Sequence, residues 1–193
     1  MIIGVPREIK EQENRVSLVP WGVSHLVKSG HCVLVERGAG AGAGYDDQSY
    51  ASAGALLYKD HAAIFDEAEL IVKVKEPVKE EYGLFRPNQL LFTYLHLAAN
   101  KSLTIELASA GVIGIAYETI EINGRLPLLE PMSEIAGRMS VVVGGSFFLS
   151  RHKGGAGVLL GGVPGVLPGR VVVLGGGSAG VNAARIASGL VTS

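Results

Sequence analysis

The sequence predicts an α/β fold built on a parallel sheet, with a complete first domain and the beginning of a second. Short apolar runs alternate along the chain with segments of helical pattern. This alternation favours parallel strands joined by right-handed helical crossovers. Hydrophobic residues make up 48% of the 193 residues and charged residues 18%, so the chain can bury a sizeable core.

Apolar runs predict the strands of the first domain. Each run is short and is bounded by turn-forming or charged residues, as is typical of strands in a parallel sheet. The predicted strands are, in chain order, Ile2–Val5, Cys32–Glu36, Leu56–Tyr58, Ile71–Lys75, Gln89–His96 and Ile113–Glu118.

Start and stop signals predict helices between these strands. Pro20 fits the first turn of a helix, and Gly30 fits its end. Asp46 or Asp47 is expected to cap a second helix and Asp60 a third, because a carboxylate accepts hydrogen bonds from the free N–H groups of a first turn. The predicted helices are Pro20–Ser29, a segment from Asp46 or Asp47 to about Gly54, His61–Ala68 and Ser102–Ala110.

A connecting helix and a second glycine-rich region follow. Asn123-Gly124 predicts a hairpin turn. A helical pattern runs from Ser133 to about Leu149, and a fresh strand is expected at Arg170–Leu174, before a further helix over Asn182–Leu190. We therefore predict a substrate domain over residues 1–132 and, over residues 133–193, the connecting helix and the incomplete start of a nucleotide-binding domain.

The charge balance argues against some classes of partner. There are 17 basic and 18 acidic residues, for a net charge of −1. Without a broad basic field, neither nucleic acid nor an anionic membrane is expected as the main partner. No apolar run reaches the roughly 18 residues of a membrane span. The chain enters a strand without a signal-peptide pattern, so a cytoplasmic location is expected. No metal site is predicted.

Ionisable residues end several of the predicted strands. Open parallel sheets bind ligands beyond the carboxyl ends of their strands. The predicted strands end in Lys75, His96 and Glu118, and Arg15 lies in the polar loop after the first strand. Cations suit a carboxylate or a carbonyl oxygen, and His serves as acid or base. Solvated strand ends, caps or simple ion pairs remain alternatives. Tyr94, two residues before His96, either lines the pocket or fills the core.

The stretch GGGSAG at residues 175–180 is the most specific local signal. It follows an apolar run and precedes a helical pattern, which is the setting of the dinucleotide-binding turn of a Rossmann fold. Gly175 allows a tight turn, Gly177 lets backbone approach a pyrophosphate, and Gly180 lets helix and strand pack closely. A purely structural turn is the alternative. The acid that binds the ribose is expected about 20 residues further on, past Ser193, so spacing does not distinguish NAD from NADP.

Short blocks in the same order along the chain carry a family resemblance. They are GVPRE (4–8), ENRV (13–16), VKVKEP (72–77), FTYLHLA (92–98), AYET (116–119) and PMSEIAGRM (131–139). Together they resemble the alanine dehydrogenase and proton-translocating transhydrogenase superfamily, and TYLHLA with PMSEIAGRM favours the alanine dehydrogenase branch. The resemblance implies reversible, NAD-linked oxidative deamination of L-alanine to pyruvate and ammonia.

The resemblance also implies site residues. Arg15 and Lys75 would hold the substrate carboxylate and carbonyl, and His96 would act as acid and base. The residues that would line or support the pocket are Tyr94, Glu118 and Met132. The expected cofactor contacts are Ser133, Gly175, Gly177, Ser178, Ala179 and Gly180.

Two other readings stay open. One is the nucleotide-binding subunit of a transhydrogenase, and the other is a truncated chain that binds a ligand without turnover. Members of the family are longer, and their catalytic Asp and a substrate-contacting Asn fall in the part that this sequence lacks. We therefore expect the 193-residue chain to be inactive or nearly so by itself. The resemblance further implies a homo-oligomer, namely a hexamer.

Overall fold

Residues 1–190 are described by a computed structural model, apart from the side chain of Lys153. Contacts divide the chain into two units, Met1–Thr119 and the residues from Ile120 onward. Each unit is taken by itself below. The predicted division into domains after residue 132 stays a prediction. None of the helices within residues 1–190 combines the length and the apolar character needed to cross a membrane.

The first unit is a parallel sheet of six strands in the order β3-β2-β1-β4-β5-β6. Every pairing is parallel. The strands are β1 Ile2–Val5, β2 Cys32–Glu36, β3 Leu56–Tyr58, β4 Leu70–Val72, β5 Leu90–Thr93 and β6 Ile113–Ala116. The predicted α/β, Rossmann-like fold is confirmed. The strand order reverses direction between β1 and β4, and ligands bind beyond the carboxyl ends at such a switch point.

Helices connect the strands of this unit. They are α1 Pro20–Lys28, α2 Asp47–Ser52, α3 His61–Glu67 and α4 Lys101–Ser109. The predicted caps are confirmed: the side chain of Asp46 accepts a hydrogen bond from the Ser49 N–H (2.8 Å), and that of Asp60 from the Ala62 N–H (3.0 Å). Asn100 caps α4 in the same way, which the sequence analysis had not identified.

Both faces of the sheet are covered by helices. Ile64 and Phe65 of α3 belong to one cluster of buried apolar side chains, and Val23 of α1 belongs to the other, together with Val5 of β1. A Cβ on Gly4 would lie only 2.7 Å from Ile64, so Gly4 faces α3. Neighbouring residues of a strand point to opposite faces, and Val5 therefore faces the second cluster. This arrangement leaves the strand ends as the accessible edge.

Three strands end earlier than predicted. β4 ends at Val72 instead of Lys75, β5 at Thr93 instead of His96, and β6 at Ala116 instead of Glu118. Side-chain hydrogen bonds and turns replace the ladder at these points. Residues 74 and 75 donate to the carboxylate of Glu8, and His96 adopts a left-handed backbone conformation (φ 48°). The charged residues accordingly lie in loops just beyond the strands.

The second unit contains a tight turn and two helices. Ile122 and Arg125 exchange backbone hydrogen bonds of 2.8 and 3.1 Å across Asn123-Gly124, both of which have positive φ, so the predicted turn is confirmed. Helix α5 spans Glu130–Leu149 and helix α6 spans Ser178–Leu190. Both predicted helices are present, and each begins a few residues earlier than its apolar pattern suggested.

A glycine allows α5 and α6 to approach closely. A Cβ on Gly137 would lie 2.1 Å from the carbonyl oxygen of Ala179, a distance at which one backbone would have to move. Beside this contact, Arg138 Nε donates to Asn182 Oδ1 at 3.1 Å. The glycine of the PMSEIAGRM block therefore makes room for the first turn of α6.

The strand expected at Arg170–Leu174 is wrong for the part of the chain that the structure describes. This segment has no strand partner within residues 120–190 and forms no ladder. Val172 is 73% exposed and Leu174 is 94% exposed. A strand takes its hydrogen bonds from a neighbour, so an apolar run alone does not make one.

Candidate active site

The loops that follow β4 and β5 are tied to each other beyond the edge of the sheet. Thr93 Oγ1 donates to the carbonyl oxygen of Lys75 at 2.9 Å, and the N–H of Tyr94 donates to the carbonyl oxygen of Val74 at 3.4 Å. Lys75 is half-buried. The segments that carry Lys75 and Tyr94 therefore meet at this edge of the sheet.

Arg15 lies at the same edge, in the loop after β1, and forms a fork-like pair with Glu13. Arg15 Nε and Nη2 donate to the two carboxylate oxygens of Glu13 at 2.8 and 2.6 Å. The hydrogen bond from Arg15 lowers the pKa of Glu13, with a smaller contribution from the charge of Lys75. Burial raises the pKa of Tyr94, while the charge of Arg15 opposes that rise. Arg15 therefore acts electrostatically on both Glu13 and Tyr94, and Lys75 acts on Glu13.

A small cavity opens beside Arg15. Its volume is about 190 Å³, which is room for a small organic acid. Its walls come from the polar loop after β1 and from the glycine-rich turn after β2: Arg7, Glu8, Glu13, Asn14, Arg15, Gly38, Ala39, Ala41 and Gly42. A guanidinium at the wall of such a cavity suits a carboxylate ligand, because it offers paired donors in one plane.

His96 is exposed and is held by its neighbours. Its ring stacks on that of Tyr94, with centroids 6.0 Å apart and planes 13° apart. The carboxylate of Glu118 accepts hydrogen bonds from the N–H of His96 (2.7 Å) and from the N–H of Leu95 (3.1 Å). A left-handed backbone costs a non-glycine residue about 1 kcal/mol or more, and the two Glu118 bonds offset that cost. Glu118 thus fixes the turn from which the imidazole projects.

A network of buried charges lies next to this edge, and the sequence analysis gave it no role. The ammonium of Lys73 is 2.6 Å from Glu81 Oε1 and 3.3 Å from Glu8 Oε2. The side chains of Lys73, Glu81 and Glu8 are 1%, 1% and 3% exposed. Lys and Glu are rarely buried unless they are paired, so residue type alone would place Lys73, Glu81 and Glu8 at the surface. The two lysines of VKVKEP are the local feature of the sequence that could have indicated a second lysine with a structural role.

His61 extends the network away from Lys73. Its Nδ1 lies 2.6 Å from Glu36 Oε2 and its Nε2 lies 3.3 Å from Glu81 Oε1. Burial alone lowers the pKa of His61, but its hydrogen bond with Glu36 and the nearby charges of Glu36 and Glu81 outweigh burial and raise the pKa from 6.5 to about 9. The imidazole is consequently charged at neutral pH and links two carboxylates.

This raised pKa predicts a loss of stability at alkaline pH. The folded-state pKa exceeds the unfolded value of 6.5, so the stabilisation is complete below about pH 6.5 and is lost as the pH rises through about 9. The loss amounts to at most about 3 kcal/mol in the free energy of unfolding. Urea unfolding followed by circular dichroism at several pH values measures it. The difference between the wild-type chain and His61→Gln should shrink as the pH rises, and a constant difference would contradict the assignment.

The GGGSAG turn lies in the second unit. Gly175 has φ +99°, which favours glycine, and a Cβ on Gly180 would lie 2.0 Å from the carbonyl oxygen of Gly175. Around Gly177 no atom lies within 4 Å of where a Cβ would be, so its backbone is open to a ligand. Helix α6 begins at Ser178, and its free N–H groups suit a phosphate. The turn thus fits a dinucleotide pyrophosphate even though no strand precedes it.

Met132, expected at the substrate pocket, and the other residues expected to contact the cofactor lie near the starts of the helices of this unit. Met132 and Ser133 lie in the first turn of α5, and both are half-buried. Ser133 and Ser178 line one cavity of about 270 Å³, while Ala179 is exposed and turns its carbonyl oxygen towards Gly137. The structure therefore brings Ser133 and the GGGSAG turn together. The roles of all these residues stay predictions.

An open parallel sheet with cations and a histidine beyond its strand ends, and a glycine-rich turn at a helix start, are typical of dinucleotide-dependent α/β proteins. The family model "Alanine dehydrogenase/PNT, N-terminal domain" matches residues 4–136. The model "Alanine dehydrogenase/PNT, C-terminal domain" matches residues 141–193. The chain belongs to the alanine dehydrogenase/PNT family, as its sequence blocks predicted.

Relatives with known names agree with this membership. The chain is 55% identical over 190 residues to an alanine dehydrogenase from Bacillus subtilis, covering 98% of this chain and 50% of the relative. It is 54% identical over 191 residues to one from Methanococcus maripaludis, covering 98% of this chain and 51% of the relative. The chain therefore spans about half the length of the curated relatives it matches.

Solved structures resemble the chain as well. An L-alanine dehydrogenase structure superposes with a TM-score of 0.89 at 56% identity, covering 98% of this chain and 52% of that one. A transhydrogenase from Sinorhizobium meliloti superposes with a TM-score of 0.79 at 27% identity, covering 98% of this chain and 54% of that one. Of these two, the alanine dehydrogenase is the more similar in both sequence and structure.

Proposed function

We propose that this chain supplies the substrate site and the first part of the NAD site of an enzyme that converts L-alanine, NAD and water reversibly into pyruvate, ammonia and NADH. The observation that carries the proposal is that the segment of Lys75 is hydrogen-bonded to the segment of Tyr94, on whose ring His96 stacks, while Arg15 lines a small cavity in the loop after β1. The 55% identity to an alanine dehydrogenase supports the same reaction.

The residues of this edge suit the chemistry of the reaction. The guanidinium of Arg15, which the structure pairs with Glu13, would bind the substrate carboxylate. Lys75 would place its ammonium at the carbonyl oxygen of pyruvate, where negative charge develops as the carbonyl is attacked. His96 would take a proton from the water that attacks the imine of alanine and return it when ammonia adds to pyruvate. Glu118 would keep the His96 turn in place.

The residues proposed to bind the cofactor lie in the second unit. Gly175, Gly177 and Gly180 would hold the pyrophosphate of NAD at the start of α6, and Ser133 and Ser178 would contact it from the adjoining cavity. When bound, NAD accepts the hydride that leaves the α-carbon of alanine. A cytoplasmic location and a homo-oligomer, six-fold by family resemblance, belong to the same proposal.

Alanine-dependent formation of NADH tests the proposal. The product of the complete coding sequence, with its intact mass verified, is expected to reduce NAD with L-alanine and to oxidise NADH with pyruvate and ammonium. If it exchanges hydride between two nicotinamide cofactors and does not turn over alanine, the transhydrogenase function is correct instead.

The 193-residue chain is expected to give no measurable alanine oxidation when it is purified alone. Its Arg170–Leu174 segment has no strand partner in the described residues, so within them the GGGSAG turn does not follow a paired strand. Isothermal titration with pyruvate would show whether the chain still binds a ligand. Alanine turnover by a chain of verified mass would contradict this expectation.

A further inference from the structure

Glu8 ties the segment before Lys75 to the end of β1. It lies three residues beyond β1, whose neighbour in the sheet is β4. Its Oε1 accepts hydrogen bonds from the N–H of Val74 at 2.6 Å and from the N–H of Lys75 at 3.4 Å. A charged acceptor makes a stronger bond than a neutral one. The N–H groups of residues 74 and 75 are therefore bound to a side chain and not to a neighbouring strand.

The segment has few other restraints. β4 ends at Val72, and the N–H of Lys73 still donates to the carbonyl oxygen of Phe92 at 3.0 Å. Beyond that point the carbonyl oxygen of Val74 accepts from the N–H of Tyr94, and that of Lys75 accepts from the side chain of Thr93, the last residue of β5. The N–H groups of residues 74 and 75 donate to Glu8 and, among the hydrogen bonds of the described residues, to no other acceptor. Loss of Glu8 would free the donor side of the segment.

The Glu8 carboxylate is itself paired with a buried lysine. Lys73 Nζ lies 3.3 Å from its Oε2, and Lys73 is held in turn by Glu81 at 2.6 Å. Burial raises the pKa of Glu8, while the Lys73 charge and the Val74 N–H oppose that rise. Burying three charged groups costs several kcal/mol unless each is paired, and apolar side chains often fill such a space with equal stability. Packing alone therefore does not explain why these three charged side chains are buried.

We propose that Glu8 is a positioning residue for Lys75, acting through the backbone of residues 74 and 75. This inference rests on the proposed role of Lys75 in binding pyruvate. The Lys73–Glu81 pair orients the Glu8 carboxylate, and the carboxylate sets the point from which the Lys75 side chain reaches the site. Misplacement of a binding group by about 1 Å can cost about a hundredfold in rate.

A double-mutant cycle tests this coupling in the product of the complete coding sequence. Glu8→Ala is expected to lower kcat/KM for pyruvate by about ten- to a hundredfold and to leave the Kd for NADH unchanged. In a Lys75→Ala background, the same change is expected to alter kcat/KM and the Kd for pyruvate less than about threefold. A purely structural role would give the same loss in both backgrounds, and that result would overturn the inference.

Two further variants sharpen the cycle. Glu8→Gln keeps an acceptor oxygen for the Val74 N–H and is expected to recover most of the loss. Asp46→Ala also removes a carboxylate that accepts a backbone hydrogen bond, from Ser49 at 2.8 Å, but at a helix start outside the site. Its effect on pyruvate kinetics should be small and equal in both backgrounds. A loss in Glu8→Gln as large as in Glu8→Ala would contradict positioning by hydrogen bonding.

Hydrogen exchange separates failure of this inference from failure of the proposed function. If the wild-type protein does not turn over alanine, the proposed function is wrong whatever Glu8 does. The amide of Val74 is still expected to exchange faster in Glu8→Ala than in wild type, while amides of β1 and β2 remain protected. Unchanged exchange at Val74 would show that Glu8 does not restrain the segment.

Discussion

His96→Ala is expected to lower kcat for alanine oxidation by about a thousandfold, because general acid–base catalysis contributes between about a hundred- and ten-thousandfold. The imidazole is exposed and stacked on Tyr94, so its removal leaves no buried cavity. The GGGSAG turn lies in the other unit and should be unaffected. Steady-state kinetics with L-alanine measure the loss of kcat, and titration with NAD measures cofactor binding. Loss of NAD binding in His96→Ala would contradict the assignment of His96 as an acid–base group.

The backbone of His96 requires a second variant as a control. At φ 48°, alanine is strained, so His96→Ala changes both the acid–base group and the turn. Asn tolerates the left-handed conformation and does not take up a proton near neutral pH. His96→Asn is therefore expected to lose as much turnover as His96→Ala. If His96→Asn kept most of the activity, the turn and not the imidazole would be the important feature.

Lys75→Ala is expected to weaken pyruvate binding and to slow reductive amination together. The ammonium is proposed to act on the bound carbonyl and on the charge that develops there, so its loss affects both the ground state and the transition state. Removal of one such group typically costs about a hundred- to a thousandfold in rate. Initial rates with pyruvate and ammonium at saturating NADH measure KM and kcat separately.

The matched control for Lys75→Ala is Lys28→Ala. Lys28 is an exposed lysine in the last turn of α1, and its removal changes the net charge of the chain equally. Its kinetics should match those of the wild type, which would exclude a general effect of charge on the approach of an anion. A change in KM without a change in kcat in Lys75→Ala would mean that Lys75 contributes only to substrate binding.

Local patterns predicted the elements of the first unit well. The spans of β1, β2 and β3 and the caps Asp46 and Asp60 follow from apolar runs and from residues within a few positions. The end of β4 did not follow, because Val74 continues the apolar pattern. What ends the strand there is the carboxylate of Glu8, 66 residues away in sequence. A contact of that range leaves no trace in local periodicity.

The expected strand at Arg170–Leu174 was wrong for a different reason. Its composition favours a strand, but a ladder also requires a neighbour, and none pairs with it within the described residues. Helix α6 needed no such partner, since its hydrogen bonds are internal to the segment. Helices are therefore the more predictable elements in this part of the chain.

The candidate site was predictable where a general rule applied. Carboxyl ends of parallel strands share an edge, so Lys75, His96 and Glu118 were expected there, and the structure places them in loops beyond that edge. The different surroundings of Lys73 and Lys75 could not be derived from alternation, which would place both on one face. One lysine is buried between Glu8 and Glu81, and the other is half-exposed. The difference in burial between Lys73 and Lys75 depends on tertiary packing.

The two kinds of ion pair beside the site should respond differently to ionic strength. The Arg15–Glu13 pair has an arginine side chain that is 46% exposed, whereas Lys73 and Glu8 are 1% and 3% exposed. Dissolved salt screens charges over about 10 Å at 0.1 M and about 3 Å at 1 M, but it acts mainly on charges that water reaches. Concentrated salt would thus weaken the Arg15–Glu13 pair and leave the buried Lys73–Glu8 pair, and with it the backbone tie to Lys75, nearly unchanged.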